Sequence, residues 1–540
     1  MQRDYGLEER TIGRVLADKA ERVPDRPFLL WQGRRHTYAD VERMTNRYAN
    51  GFAARGVGHG DHVAVLLPNC PEFLWTFWGL GKLGAVAVPV NTAARGDMLR
   101  YFVDQSEAGC VVVDEQWLDR VAAIAGDLPK VGRWIVRRDG PVSADDLGGT
   151  TRPVEPLAAL DSGDETRPPL DRVRHDDVQT IIYTSGTTGP SKGVMCPHSQ
   201  GHDVGRAIAG EYGYGPDDVL FACLPLFHAN ALWYSCCAAL WADAALALSP
   251  RFSASTFWSE IRASGATQFN SLGAMTNIIL QMPPGPDDRN HRVRQALVVP
   301  MTPELPRIFL ERYGIRTTSV FAMSENYAVT SYVPGDRPDK AGSAGSARGA
   351  SLLRIVDDEG RELPAGEVGE ILMKPTRPGS MMTGYYAMPE ATATAFVDGW
   401  FRTGDRGRLD ADGYLWFVDR KKEAIRRRGE NVSAYEVEMI LARHPAVLEV
   451  AAVPVPSEMS EDEVMVYVVR RPGTTLDEAE LVRFAIERMS SFMVPRFVAF
   501  VDALPKTATE KIEKYKLKQD AVERRAELWD RERAGIVVRR

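Results

Sequence analysis

Tyr183-Thr184-Ser185-Gly186-Thr187-Thr188-Gly189-Pro190-Ser191-Lys192-Gly193 is the stretch that decides how the rest of the chain is read. The run before it, Val178-Gln179-Thr180-Ile181-Ile182-Tyr183, is β-branched and apolar and predicts a buried strand. A strand opening into a loop of Gly, Ser and Thr suits a phosphate. Glycines let several backbone N–H groups approach one anion, hydroxyls add donors, and Lys192 adds a mobile positive charge. Each charge-assisted hydrogen bond is worth roughly 1.5–3 kcal/mol, so several together could hold a triphosphate. Gly193 follows Lys192, which rules out a Walker A loop. Composition alone also allows a plain surface loop.

The 540 residues suggest about three or four core-forming units. With 44 % apolar residues a sizeable core can form, and 26 % charged residues fit a globular chain. A net charge of −7 without a basic block disfavours nucleic-acid binding. The six cysteines show no paired metal spacing, and Cys236-Cys237 lies in an apolar run as buried small hydrophobes. Reduced thiols in a cytoplasmic protein are the natural reading. No apolar signal region follows Met1, and the apolar stretches near 74–90 and 231–248 are interrupted by Lys82 and Asp243, so no membrane span is expected.

Outward from the loop, strand and helix patterns alternate. Helices are expected over 11–21, 40–54 and 73–83, a hairpin over 28–38, and strands over 62–67, 85–90 and 109–113. Residues 138–170, rich in Gly, Pro, Asp and Ser, read as a surface connection. Further strands are expected at 219–225, 245–248, 268–271 and 295–299. This rhythm predicts doubly wound α/β units with parallel sheets. From about 341 glycines and short strands predict a small β-rich unit, and from about 421 a compact α+β lobe with a helix over 434–442. The charged residues 524–540 predict a solvated tail helix.

Other motifs carry chemistry. In Phe321-Ala322-Met323-Ser324-Glu325 a carboxylate follows a strand; Glu325 is either a plain surface residue or a one-oxygen Mg²⁺ ligand, with phosphates and waters completing the octahedron. Trp400-Phe401-Arg402-Thr403-Gly404-Asp405 ends on a carboxylate that could accept from two hydroxyls. Asp419-Arg420-Lys421-Lys422, Arg426-Arg427-Arg428-Gly429-Glu430-Asn431, Leu224-Pro225-Leu226-Phe227-His228, Asn270-Ser271-Leu272-Gly273 and Leu504-Pro505-Lys506-Thr507-Ala508-Thr509-Glu510-Lys511 complete the set.

Together, in this order, these stretches resemble the motifs of the adenylate-forming superfamily (acyl-CoA synthetases, adenylation domains, luciferase), and most of all its crotonobetaine/carnitine-CoA ligase-like branch. The resemblance runs from about residue 10 to 520. It implies a large adenylation body, 1–420, and a mobile lid, 421–540, that turns about Lys422. It implies that Thr184, Ser185, Gly186, Thr187, Thr188, Lys192 and Ser324 contact phosphates and that Glu325 binds Mg²⁺. Phe321 would stack near adenine, Asp405 would hold the ribose, and Arg420 would touch the ribose or α-phosphate. Lys511 would neutralise transition-state charge, and His228 would close the acyl tunnel. Asn270, Gly273, Met301 and Met323, with His228, would line the substrate pocket, and the Gly429-Glu430-Asn431 segment would line a thiol tunnel after rotation. The arginine run is a solvated face or a partner for the 3′-phosphate of coenzyme A.

The implied cofactors are ATP, Mg²⁺ and coenzyme A, and the implied reaction is adenylation of a small carboxylic acid followed by transfer to the thiol. Dimers are common in the superfamily. Two departures stand out: Glu510 replaces the usual Gly, and Val298-Val299-Pro300-Met301 replaces Gly-Gly-Ala-Pro, which reshapes the pocket floor. The latter keeps open a diazotase that activates nitrite for an aryl amine, or transfer to a carrier protein. A non-catalytic nucleotide-binding protein is the alternative from another class.

Overall fold

The computed structural model describes residues 3–538 apart from 162, 185–190, 349–350, 358, 421–423, 428, 458–460, 506–511 and 513. Two eight-stranded sheets build the large body, and both follow one plan. The sheet containing Val178–Thr184 runs, edge to edge, through strands 384–385, 192–197, 178–184, 86–89, 62–66, 110–114, 133–137 and 154–156. Its strands are parallel from 178–184 to the far edge and antiparallel at the 192–197 edge. The second sheet runs through 326–332, 316–323, 295–299, 268–272, 219–222, 245–248, 27–31 and 34–37. It is parallel inside and closes with an antiparallel hairpin at each end. This is the expected mixed α/β architecture with a second, smaller domain.

Local chemistry sets the helices between these strands. Tyr38–Ala53 starts with a reciprocal cap: Asp40 N donates to Thr37 Oγ1 at 3.1 Å, and Thr37 N donates to Asp40 Oδ2 at 2.8 Å. Pro71 opens Pro71–Leu83, where a missing N–H costs nothing. These helices share one core with both sheets, in which Phe28 and Leu29 of one sheet, Val63 and Val65 of the other and Trp78 of the helix are all fully buried. Lys82, which interrupts an apolar run in the sequence, ends inside this core with its ammonium 2.7 Å from Glu42. Asp243 accepts from the buried Lys19. The charges that break the apolar stretches are thus internal ion pairs.

A five-stranded antiparallel sheet follows (351–356, 369–375, 400–409, 396–397 and 415–420). The smaller domain begins with the hairpin Ala424–Arg427/Glu430–Ser433 and the helix Ala434–Leu441. Its sheet orders the strands 447–456, 462–470, 497–500 and 529–530. Here the structure corrects the solvated tail helix. The segment after 523 turns back, Trp529–Asp530 becomes the edge strand beside Phe497–Phe500, and Arg531 is 4 % exposed. The tail charges are used inward: Arg496 donates to Asp530 at 3.1 Å and Arg531 donates to the Ile536 carbonyl at 2.9 Å. Residues 138–170, expected as a plain connection, also give the body sheet its edge strand Val154–Pro156.

Candidate active site

The Gly/Ser/Thr stretch lies in the chain between two antiparallel strands. Val178–Thr184 pairs antiparallel with Lys192–Pro197, and Thr184 stands opposite Lys192. Ser185, Gly186, Thr187 and Thr188 lie outside the described residues. Both flanking strands are held in the sheet. Lys192 extends from the hairpin until its ammonium sits 4.6 Å over the ring of Tyr385. Tyr385 belongs to Gly384–Tyr385, the short edge strand paired with Val194 and Met195. Its hydroxyl donates to Glu325 Oε1 at 2.7 Å. Burial, then the Glu325 charge, pushes the phenol far above its ordinary value, so it stays a donor. Lys192, Tyr385 and Glu325 therefore form one cluster that joins the hairpin to the Phe321–Glu325 motif.

That motif lies where the strand Arg316–Met323 turns into Asn326–Tyr332. A register shift between Phe321 and Met323 re-aims the side chains there. Gln200 Nε2 donates to the Glu325 carbonyl at 3.2 Å, and Tyr327 donates to Ser324 Oγ at 3.0 Å. Phe321 is buried with its ring 6.3 Å from that of Phe417. Among the described residues no group of three acidic, His or Cys side chains could hold a metal alone. Glu325, steadied by Tyr385, is the one protein carboxylate of this motif that would hold Mg²⁺, a hard cation that takes oxygen ligands.

Asp405 is buried in the strand Trp400–Leu409, and its N–H donates to Thr403 Oγ1 at 3.0 Å. Arg420 stands opposite it in the antiparallel ladder. The two predicted ribose residues thus come together by register. Lys422 and Lys511 lie outside the described residues.

His228 ends the segment after the strand Val219–Ala222 and leads into a π-helix, Asn230–Cys237. Its Nε2 lies 3.0 Å from both carboxylate oxygens of Glu430. Burial alone would lower the imidazole, but the Glu430 charge and hydrogen bond outweigh it and raise the value above 6.5. Glu430 sits beside Gly429 at the turn of the small domain's hairpin, and Gly429 has φ +80, which a glycine accommodates freely. A Cβ on Gly429 would lie 3.7 Å from Leu272 of the strand Gln268–Leu272. The small domain is therefore docked with its hairpin turn against His228 and Leu272.

Two more contacts fix this docking. Ser191, at the end of the nucleotide loop, donates to Glu436 Oε1 of the helix Ala434–Leu441. Burial lifts the Glu436 carboxyl to about 7. Arg443 pairs with Asp97 at the start of the helix Gly96–Gln105.

The predicted pocket residues separate. Asn270 Nδ2 donates to Asn230 Oδ1 at 2.9 Å and to Ser235 Oγ at 3.2 Å. Gly273 opens the helix Gly273–Gln281, and Met323 packs, partly buried, against the main core. Met301 lies in a different cluster with Phe309 and Tyr313, and its sulfur accepts from Thr317 at 3.5 Å. Val298 shares that cluster, while Val299 alone packs against the main core. Sequence reasoning missed Tyr385, Gln200, Asn230 and Glu436.

The two-sheet body with its smaller domain, and the Lys192–Tyr385–Glu325 cluster beside the hairpin, suit an AMP-forming ligase. The chain belongs to the AMP-binding enzyme family, whose model matches residues 16–386, with the AMP-binding enzyme C-terminal domain matching 436–511. It is 33 % identical over 490 residues to the crotonobetaine/carnitine–CoA ligase of Salmonella heidelberg (strain SL476), covering 90 % of this chain and 93 % of that one. The fold matches an anthranilate CoA ligase, AuaEII, solved with anthranoyl-AMP (TM-score 0.72, 26 % identity, 97 % and 99 % covered). It also matches o-succinylbenzoate CoA synthetase from Bacillus subtilis, a double mutant bound to a product analogue (TM-score 0.78, 25 % identity, 94 % and 98 % covered). No described helix is long and apolar enough to cross a membrane.

Proposed function

We propose that this enzyme joins a small carboxylic acid to the thiol of coenzyme A in two steps. The acid's carboxylate attacks the α-phosphorus of ATP, giving an acyl-adenylate and pyrophosphate. The thiol sulfur then attacks the acyl carbon, AMP leaves, and the thiol proton passes to solvent. In the first step the 184–188 loop and Lys192 bind phosphates, Asp405 and Arg420 hold the ribose, and Phe321 faces the adenine. Mg²⁺, held through Glu325, would supply charge neutralisation on the phosphates. Lys511, brought in by the lid, would balance the charge that builds as pyrophosphate leaves. The lid, 421–540, then turns about Lys422 for the second step.

One observation carries the thiol-transfer reading: the Gly429–Glu430 turn lies against His228 and Leu272, where a tunnel to the acyl group would open. The coenzyme A ligase relatives support the same acceptor.

The test is release of pyrophosphate and AMP with an acid panel, with and without coenzyme A. Acid-dependent pyrophosphate release followed by coenzyme A-dependent AMP release is expected. AMP release that ignores coenzyme A but needs nitrite and an aryl amine overturns the acceptor. Lys511→Ala should cut adenylation on the order of 10²–10³ while ATP still binds. Normal turnover by that variant refutes the catalytic assignment.

A further inference from the structure

Beneath the docked hairpin turn lies a chain of amides. It begins at Gln268, fully buried on the strand Gln268–Leu272, whose Nε2 donates to Asn270 Oδ1. Asn270, 3 % exposed, passes the sequence on: its Nδ2 donates to Asn230 Oδ1 at 2.9 Å and Ser235 Oγ at 3.2 Å. The π-helix makes this double contact possible. Residues five apart point to different sides of an α-helix but stack along an i→i+5 helix, so Asn230 and Ser235 face one partner. The helix continues into the buried Ala231, Leu232 and Trp233, so the amides sit in apolar surroundings where an unmet polar group is costly.

Each amide is oriented by the one behind it. Asn230 is only partly buried, and its Nδ2 donates to no described residue. Two contacts place it. His228, two residues before it, meets Glu430 at 3.0 Å. Leu272, two residues beyond Asn270 and so on the same face of its strand, lies 3.7 Å from the Cβ position of Gly429. The Asn230–Asn270 pair is therefore bracketed by both points at which the hairpin turn reaches the body.

We propose that Asn230 is a specificity-determining residue that donates a hydrogen bond to the acid being activated, and that it selects acids bearing an oxygen acceptor (hydroxyl, ether or keto) away from the reacting carboxylate. This rests on the acid-activating reading above. Such an acid completes the amide chain. An unsubstituted acid of the same length strands the NH₂ against hydrocarbon.

The experiment compares pyrophosphate release on matched acids: benzoate against its hydroxy and methoxy derivatives at each ring position, and hexanoate against 6-hydroxy- and 5-oxohexanoate. The wild-type enzyme should favour an oxygenated member by about 10-fold or more in kcat/KM. Asn230→Leu should erase that preference by slowing the oxygenated member. Asn230→Asp, which keeps the shape and still accepts from Asn270 but offers an acceptor outward, should shift preference toward amino-substituted benzoates. Equal wild-type rates within every pair, or a preference that survives in both variants, overturns the proposal. Pyrophosphate release with no acid at all instead overturns the function on which it rests. A melting curve and ATP binding for each variant separate misfolding from lost selectivity.

Discussion

The Tyr385 hydroxyl donates to a carboxylate oxygen of Glu325 and so steadies it, and the ring offers its face to Lys192. Tyr385→Phe keeps the ring and removes only the hydroxyl. Hydrogen bonds to charged groups are worth about 1.5–3 kcal/mol, so the rate of pyrophosphate release should fall about 10- to 100-fold. Most of the loss should be recoverable at high Mg²⁺, because the carboxylate remains but is less well aimed. A Mg²⁺ titration of the variant tests this, and an unchanged half-saturation would deny the residue that role. Tyr385 lies 60 positions from Glu325 in the chain and was invisible in the sequence for that reason. No local pattern encodes a partner brought in by pairing of the edge strand Gly384–Tyr385. Asn230 was invisible for another reason: the π-helical winding that puts it on one face with Ser235 breaks the spacing on which helix reading depends.

At the scale of elements, the hairpin Ala424–Ser433 and the helix after it bring two proton-binding groups to the seam. His228 against Glu430 has its value raised above 6.5, so its contribution to docking is full below 6.5 and is lost as pH climbs through the raised value. Glu436, which burial lifts from 4.5 to about 7, holds its proton in the docked state where it would give it up in water. Tyr101, which faces it, stays protonated in this range because burial and Glu436 push it up to about 12. Docking should therefore weaken for Glu436 between about 4.5 and 7, and for His228 above 6.5; both act in the same direction. Fluorescent labels on the two domains should report a docked fraction that falls as pH rises from about 5 to 8. Glu436→Gln should flatten the lower part of that curve, and a docked fraction that rises with pH would reverse the assignment. Most elements were legible because long β-branched runs and capped helices carry their own signal. The helix expected from residue 40 begins two residues earlier, at Tyr38, because Thr37 and Asp40 cap each other. The tail was misread because charge suggests solvent, whereas here Arg496 and Asp530 satisfy each other across a strand pair.

For the whole molecule, the seam is apolar as well as ionic. Met98, Leu99 and Phe102 of the body share one buried cluster with Val437, Leu481 and Met489 of the small domain. At Gly96 the two backbones also come close: its φ is +49, and a Cβ there would come 3.3 Å from the Cα of Arg488. Gly96→Ala should loosen docking on both counts and slow acyl transfer from preformed acyl-adenylate several-fold more than it slows pyrophosphate release. Arg443→Ala, which removes a half-exposed ion pair with Asp97, should change either step by less than about 1 kcal/mol. If the two variants behave alike, the backbone approach is not what seats the domain. Stopped-flow comparison of the two half-reactions distinguishes the cases. The order of motifs along the chain disclosed the family and the nucleotide chemistry. The Gly429-Glu430-Asn431 motif hinted at one point of the seam, but pairs such as Ser191 and Glu436, 245 positions apart, are encoded by no local pattern.

The strand at Trp529–Asp530 bears on how the protein can be handled. It shields the rim of Phe497–Phe500, whose exposed backbone groups would otherwise recruit a neighbouring chain. Truncating the polypeptide at 511, where the C-terminal family match stops, strips that guard and invites edge-to-edge aggregation. Purification handles therefore belong at the opposite end of the polypeptide.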